Sequence, residues 1–388
     1  MGFTSLLSDA SHEMATAILP GFLAVLGLSP AVLGLIEGVA DSTSSFVKLG
    51  SGWMSDRLGH RKPIAACGYF LTGAAQALFA IANGMPLLLA GRTLAWFGRG
   101  LRGPLRNALL ANSVAPEDRG KAFGFHRAGD TIGAIIGPLL GVWLLAYLHP
   151  RMASASEPFR IIFLLTLIPG LGAAVAFVAL VREKRGSRSE IEFWTTIKAL
   201  TPSFRRFLLG VGIFGIGDYA RTLIILAATD LLSPRYGLDH AAEIAGLLYV
   251  GHNVIYAAYS YPVGALSDRL GRRGLLSLGY AAGALGSIGF FAAFEWKQAG
   301  MIFLLALFGL SGISLATEDS LEDAITADFT SSEVRGTSFG VLGTVNGVGD
   351  LVASVVVGAL WTAASPAAAF AYAAILMCVG AMVMYRVR

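Results

Sequence analysis

Apolar residues run through the chain in blocks the length of a membrane span, each closed by a short turn rich in Gly, Pro, Asp, Lys or Arg. A bilayer core asks for about 20 apolar residues per helix. The blocks predict helices over Phe3–Leu26, Ala31–Met54, Pro63–Ala82, Pro86–Val114, Gly120–Leu148 and Phe159–Val181. A second set follows over Phe207–Leu232, Ala241–Leu266, Gly274–Phe294, Met301–Phe329, Gly336–Trp361 and Pro366–Tyr385. Between the sets lies the longest polar stretch, residues 182–206, with seven Lys or Arg, Trp194 and Pro202. It reads as a basic linker with an amphipathic helix at the cytoplasmic surface. The pattern predicts an all-α membrane protein of twelve transmembrane helices, in two six-helix bundles over residues 1–181 and 207–388.

The two bundles are one half written twice. Gly52-Trp53-Met54-Ser55-Asp56-Arg57-Leu58-Gly59-His60-Arg61-Lys62 returns 212 positions later as Gly264-Ala265-Leu266-Ser267-Asp268-Arg269-Leu270-Gly271-Arg272-Arg273. Arg119-Gly120-Lys121-Ala122-Phe123-Gly124 returns 216 positions later as Arg335-Gly336-Thr337-Ser338-Phe339-Gly340. Two echoes at nearly one offset mark an internal repeat, and hence pseudo-symmetric halves. In the first pair glycine permits a tight reversal, Asp can cap a helix start and the basic cluster holds the turn in the cytoplasm.

These turns resemble the loop between helices 2 and 3 of major facilitator superfamily transporters, G-x-L-a-D-R-x-G-R-[KR], present here in both halves. The resemblance covers the whole chain and implies the major facilitator fold, with helices 1, 4, 7 and 10 lining a cavity. Gly133-Ala134-Ile135-Ile136-Gly137-Pro138-Leu139-Leu140-Gly141 is similar to the helix-5 G-x-x-x-G-P-x-x-G segment of superfamily exporters that exchange substrate for protons. Small residues there let a neighbouring helix approach closely.

Composition agrees with a membrane protein. The chain of 388 residues is 55% hydrophobic and 14% charged, against roughly 25% charged in soluble domains. Its net charge of +4 is a topology signal, because no basic patch is interleaved with aromatics as nucleic-acid binding requires. The proposed cytoplasmic segments hold 18 Lys or Arg and the external loops four. That bias puts both termini in the cytoplasm of a multi-pass protein, naturally in a bacterial inner membrane. Cys67 and Cys378 form neither a disulfide framework nor a metal pair by spacing. No cofactor is implied, and the expected partners are protons, a small-molecule substrate and lipid, with the protein a monomer.

The chemistry lies in charges inside the spans, which cost a few kcal/mol each and normally face a cavity. Helix 1 carries Asp9, His12, Glu13 and Thr16 on one face, and helix 2 carries Glu37, Asp41, Ser44 and Lys48 at spacings of 4, 3 and 4. Helix 4 holds Arg92, Arg99, Arg102 and Arg106 within about 80° of one another. Helix 5 adds His126, Arg127 and Asp130, helix 7 Asp218 and Arg221, and helix 8 His252 and Asn253. Helix 10 carries Glu318, Asp319, Glu322 and Asp323, with Glu318 and Glu322 standing 216 positions after Arg102 and Arg106. Helices 3 and 9 read as apolar scaffold.

Two repeated bundles with buried charge describe an alternating-access carrier powered by an ion gradient. The expectation is a small polar, charged or zwitterionic solute, exported in exchange for protons. Asp9, Glu13, Asp130 and His126 are the proton-coupling candidates. His12, Glu37, Asp41, Arg99, Asp218, Arg221, His252 and Asn253 are the substrate-binding candidates. Asp56, Asp268, Arg102, Arg106, Glu318 and Glu322 are the gating candidates, the last four by pairing across the repeat. Two alternatives stand beside this: a transition-metal ion exporter using Asp9, His12 and Glu13 as ligands, and a proton-driven importer of a nutrient or metal chelate.

Overall fold

A computed structural model describes residues 1–58, 61–111, 113, 119–183, 201–297, 300–329 and 335–386. Within these, the side chains of 52–58, 108, 111, 119–125, 128, 268–269, 327 and 335–337 are not described. The described residues are helical apart from short turns. In the first half the helices are α1 (Gly2–Val25), α2 (Pro30–Leu58), α3 (Lys62–Ala75), α4 (Ala77–Ala80), α5 (Met85–Ala111), α6 (Arg119–Leu148), α7 (Glu157–Leu165) and α8 (Leu167–Leu180). The second half contains α9 (Pro202–Gly215), α10 (Arg221–Tyr236), α11 (Leu238–Leu270), α12 (Arg272–Glu295), α13 (Met301–Phe329), α14 (Arg335–Ala363) and α15 (Pro366–Arg386).

Joining segments across breaks at Gln76, Thr166 and 216–220 gives twelve rods, consistent with the twelve expected. Among the described residues, seven of these are long and apolar enough to cross a membrane by length and composition. The others, rods 1, 2, 4, 7 and 8, are all among the charge-bearing helices named above, whose polar residues lower their hydropathy.

Contacts divide the chain into two compact units, Met1–Leu28 with Val39–Ile191, and Ser29–Gly38 with Glu192–Arg388. In the first, Phe22 packs on Phe159 and Phe163, and Phe79 meets Phe163 edge-on at 5.2 Å. The α6 glycines expected to admit a neighbour do so. A Cβ on Gly133 would stand 2.5 Å from the Leu6 carbonyl of α1, and one on Gly137 would collide with that of Ala10. In the second unit Phe214 stacks on Tyr280 at 3.6 Å, and Phe290 and Phe294 stack on Phe370.

The turn between α11 and α12 closes on Gly271 at φ +92°, the left-handed conformation glycine adopts at little cost. Beyond it Arg272 reaches Asp328 at 2.7 Å and Arg273 covers the Phe329 ring, so the repeated turn clasps the end of α13.

Two departures from the sequence expectation concern rod 7. It starts at Pro202, inside the stretch read as linker, because Thr201 caps it by accepting from the Phe204 amide at 3.3 Å. It is also interrupted between Gly215 and Arg221, where one helix was expected. Neighbouring side chains satisfy the freed backbone: Tyr372 donates to the Ile216 carbonyl at 2.9 Å, and the Ala220 amide donates to Ser354 Oγ at 3.0 Å. Such breaks survive in a membrane protein only where the backbone finds partners of this kind.

Candidate functional site

In the first unit a polar ladder joins α1 to α5. Arg106 donates to Ser5 at 3.1 Å, Arg102 and Arg99 lie 3.5 and 3.3 Å from Asp9 Oδ1, and Arg92 donates to Thr16 at 3.1 Å. Residues ascend on α1 as they descend on α5, so the two helices meet antiparallel through their long side chains. The shared face expected for the four arginines is therefore real, and it is turned on α1. Arg92 and Arg102 are 2% and 1% exposed. The Arg102 guanidinium also sits 4.4 Å above the Tyr69 ring, a cation–π placement. Its Nε and Nη1 donors, and Trp96 Nε1, have no acceptor among the described residues.

His12 is buried beside this ladder. Its Nδ1 lies 3.3 Å from Gln76 Nε2, and Trp96 meets its ring edge-on at 5.1 Å. Trp96 is flanked by Arg92 and Arg99, at 5.7 and 5.4 Å from its ring. One step along α1, Ser5 Oγ lies 3.1 Å from His126 Nδ1, and His126 Nε2 lies 3.5 Å from Asp130. Arg106, Ser5, His126 and Asp130 thus form one continuous polar chain across α5, α1 and α6.

The second unit has the opposite balance. At the rod-7 break Arg221 Nη2 lies 3.3 Å from Asp218 and 3.8 Å from Glu318 on α13. One turn further along α13, Glu322 accepts a hydrogen bond from the Tyr280 hydroxyl and another from Asn346 Nδ2 at 2.7 Å. Asp319, on the exposed side, accepts from Tyr256 at 2.7 Å. Asp218, Tyr219, Arg221, Ser287 and Ser314 help line an internal cavity of about 20 Å³, room for roughly one water.

Other candidates fall elsewhere. His252 is a core histidine whose Nδ1 lies 3.3 Å from the Phe308 carbonyl and whose ring stacks on Tyr249. Glu37 and Asn253 are buried and Asp41 is half-buried. The side chains of Asp56 and Asp268 lie outside the described residues. Arg102, Arg106, Glu318 and Glu322, named as gating residues, each take the partners given above within their own unit. Among the described residues no three His, Cys, Asp or Glu side chains gather closely enough to hold a metal ion. Sequence reasoning missed Tyr69, Gln76 and Tyr280, which come from the helices read as scaffold. A lone polar group in an apolar run gives no periodic signal.

Comparisons follow the same lines. A family profile described as Major Facilitator Superfamily matches residues 1–239 and 207–388. An uncharacterized MFS-type transporter, MJ1317 of Methanocaldococcus jannaschii, is 31% identical over 99% of this chain and 93% of its own. The multidrug resistance protein MdtH of Edwardsiella ictaluri is 33% identical over 32% of this chain and 31% of its own. Among solved structures, a POT family transporter in complex with a thioalcohol-conjugated peptide superposes with a TM-score of 0.78 at 11% identity, covering 99% of this chain and 94% of that one.

Proposed function

Because the chain belongs to the major facilitator superfamily, and is therefore a multi-pass secondary transporter rather than an enzyme, we propose that it moves a small charged or zwitterionic solute by proton exchange. The observation that carries this reading is the arginine ladder of the first unit, with Arg92 and Arg102 buried and donors on Arg102 and Trp96 unfilled among the described residues. Nothing about an uncharged lipophilic solute would repay burying guanidinium groups in a membrane span. They suit an anionic group such as a carboxylate. The acid-rich cluster of the second unit, with Asp218 and Glu318 against Arg221 and Glu322 one turn beyond Glu318, suits protons or an ammonium group. A solute with charge of both signs fits the two inventories together.

Export is the favoured direction, supported by the Gly-Pro segment of α6 and by the partial likeness to MdtH. We read the protein as a monomer in the plasma membrane, and the 18-to-four distribution of basic residues supports placing both termini in the cytoplasm. Metal-ion export is not favoured, since Asp9 is occupied by two guanidinium groups. The test is a thermal-shift panel on the purified protein with carboxylates, amines, amino acids, divalent metals and neutral drugs. A ligand that prefers the folded state raises apparent stability. Stabilisation by charged solutes supports the reading, whereas stabilisation confined to neutral drugs or to metals contradicts it.

A further inference from the structure

We propose that Glu322 is the proton-binding group of the second unit. This rests on the exchange reading above and gives the proton a seat. Glu322 is 3% exposed, and its two hydrogen-bond donors, the Tyr280 hydroxyl of α12 and the Asn346 amide of α14, are both neutral. Asp9, by contrast, has Arg99 and Arg102 beside it, and Asp218 and Glu318 share Arg221. A carboxylate taken out of water needs a countercharge or a proton, because neutral donors offset only part of the lost hydration.

The surroundings sharpen this. On its own helix Glu322 follows Glu318 by one turn and neighbours Asp319 and Asp323. From α14 Asp350 lies one turn beyond Asn346, and from α11 Tyr256 donates to Asp319. Among the described residues Arg221, at the start of α10, is the cation shown in this group, and Asp218 and Glu318 already engage it. In the protonation step a hydronium ion gives its proton to a Glu322 oxygen, forming one O–H bond and leaving a neutral water. The phenol oxygen of Tyr280, or Asn346 Oδ1 after the amide rotates, then accepts that hydrogen. Proton loss adds one negative charge one turn along α13 from Glu318, which meets Arg221 at 3.8 Å.

The test is infrared difference spectroscopy of the purified full chain between acid and alkaline pH, in H2O and D2O. It needs no solute. The expected result is a protonated-carboxyl C=O band that disappears in Glu322→Gln and persists in Asp9→Asn. Tyr280→Phe, which keeps the carboxyl group and removes one donor, should shift that band in frequency; this variant serves if Glu322→Gln does not fold. A band unchanged in Glu322→Gln, unmoved in Tyr280→Phe, or missing from the parent protein at every pH overturns the assignment. Proton-driven flux with no such band would overturn Glu322 alone. A titrating band in a protein without proton-driven flux would uphold Glu322 and overturn the exchange reading.

Discussion

Arg102 lies 3.5 Å from Asp9 while almost wholly removed from solvent, and Arg99 meets the same carboxylate oxygen at 3.3 Å. Removing one partner of a buried pair leaves an uncompensated charge and costs about 3–5 kcal/mol, whereas an exposed pair is worth about 0–1 kcal/mol. Asp9→Ala should therefore lower the thermal unfolding midpoint of the purified protein sharply. Arg272→Ala, which breaks a pair with the exposed Asp328, should barely move it. Equal shifts would mean that the ladder contributes no more than a surface contact.

The α1–α6 contact depends on the absence of side chains. With the Ala10 carbonyl pressed against Gly137, Gly137→Val must push the helices apart, and overpacking of this kind costs about 1–3 kcal/mol or more. Gly50→Val, where no described residue lies within 4 Å of the added Cβ, is the matched control. Expression and melting of the two variants should separate clearly.

Much of this was legible in advance, and the failures have physical causes. The helix-1 and helix-4 faces followed from 3.6-residue periodicity, and α6 packing followed from its glycine spacing. The rod-7 break did not. Gly215-Ile216-Gly217 looks like any small apolar run, and the side chains that stabilise its open form, Ser354 and Tyr372, come from over 130 residues away. Partner identity was equally hidden. The repeat offset relates Arg102 to Glu318 by position, and it does not reveal Asp9 and Arg221 as the ion-pair partners these two have inside their units. Tyr69 and Tyr280 show the same limit. Both come from helices read as scaffold, one lying under the Arg102 guanidinium and the other donating to Glu322.

Ser354→Ala tests the break itself. It leaves the buried Ala220 amide without its acceptor, a loss of about 1–3 kcal/mol. Hydrogen exchange at residues 216–220 should accelerate, while exchange in α1 and α5 stays as it was. Acceleration spread evenly over the protein would assign Ser354 a global packing role instead.

Orientation can be read without any substrate. Reporter fusions at Met1 and Arg388 should both be active in the cytoplasm, and a tag in the His149–Arg151 turn should be accessible from outside. Opposite placement of the two termini would require an odd number of spans.

The central claim is exchange of a charged solute for protons, and one flux measurement tests it most directly. Proteoliposomes are given a pH gradient with no other driving force, using the charged solute that most stabilises the protein. Exchange drives solute towards the acid side as protons leave it, so accumulation should occur in acid-loaded vesicles and vanish when a protonophore collapses the gradient. Accumulation in alkaline-loaded vesicles, or in neither, would contradict the account.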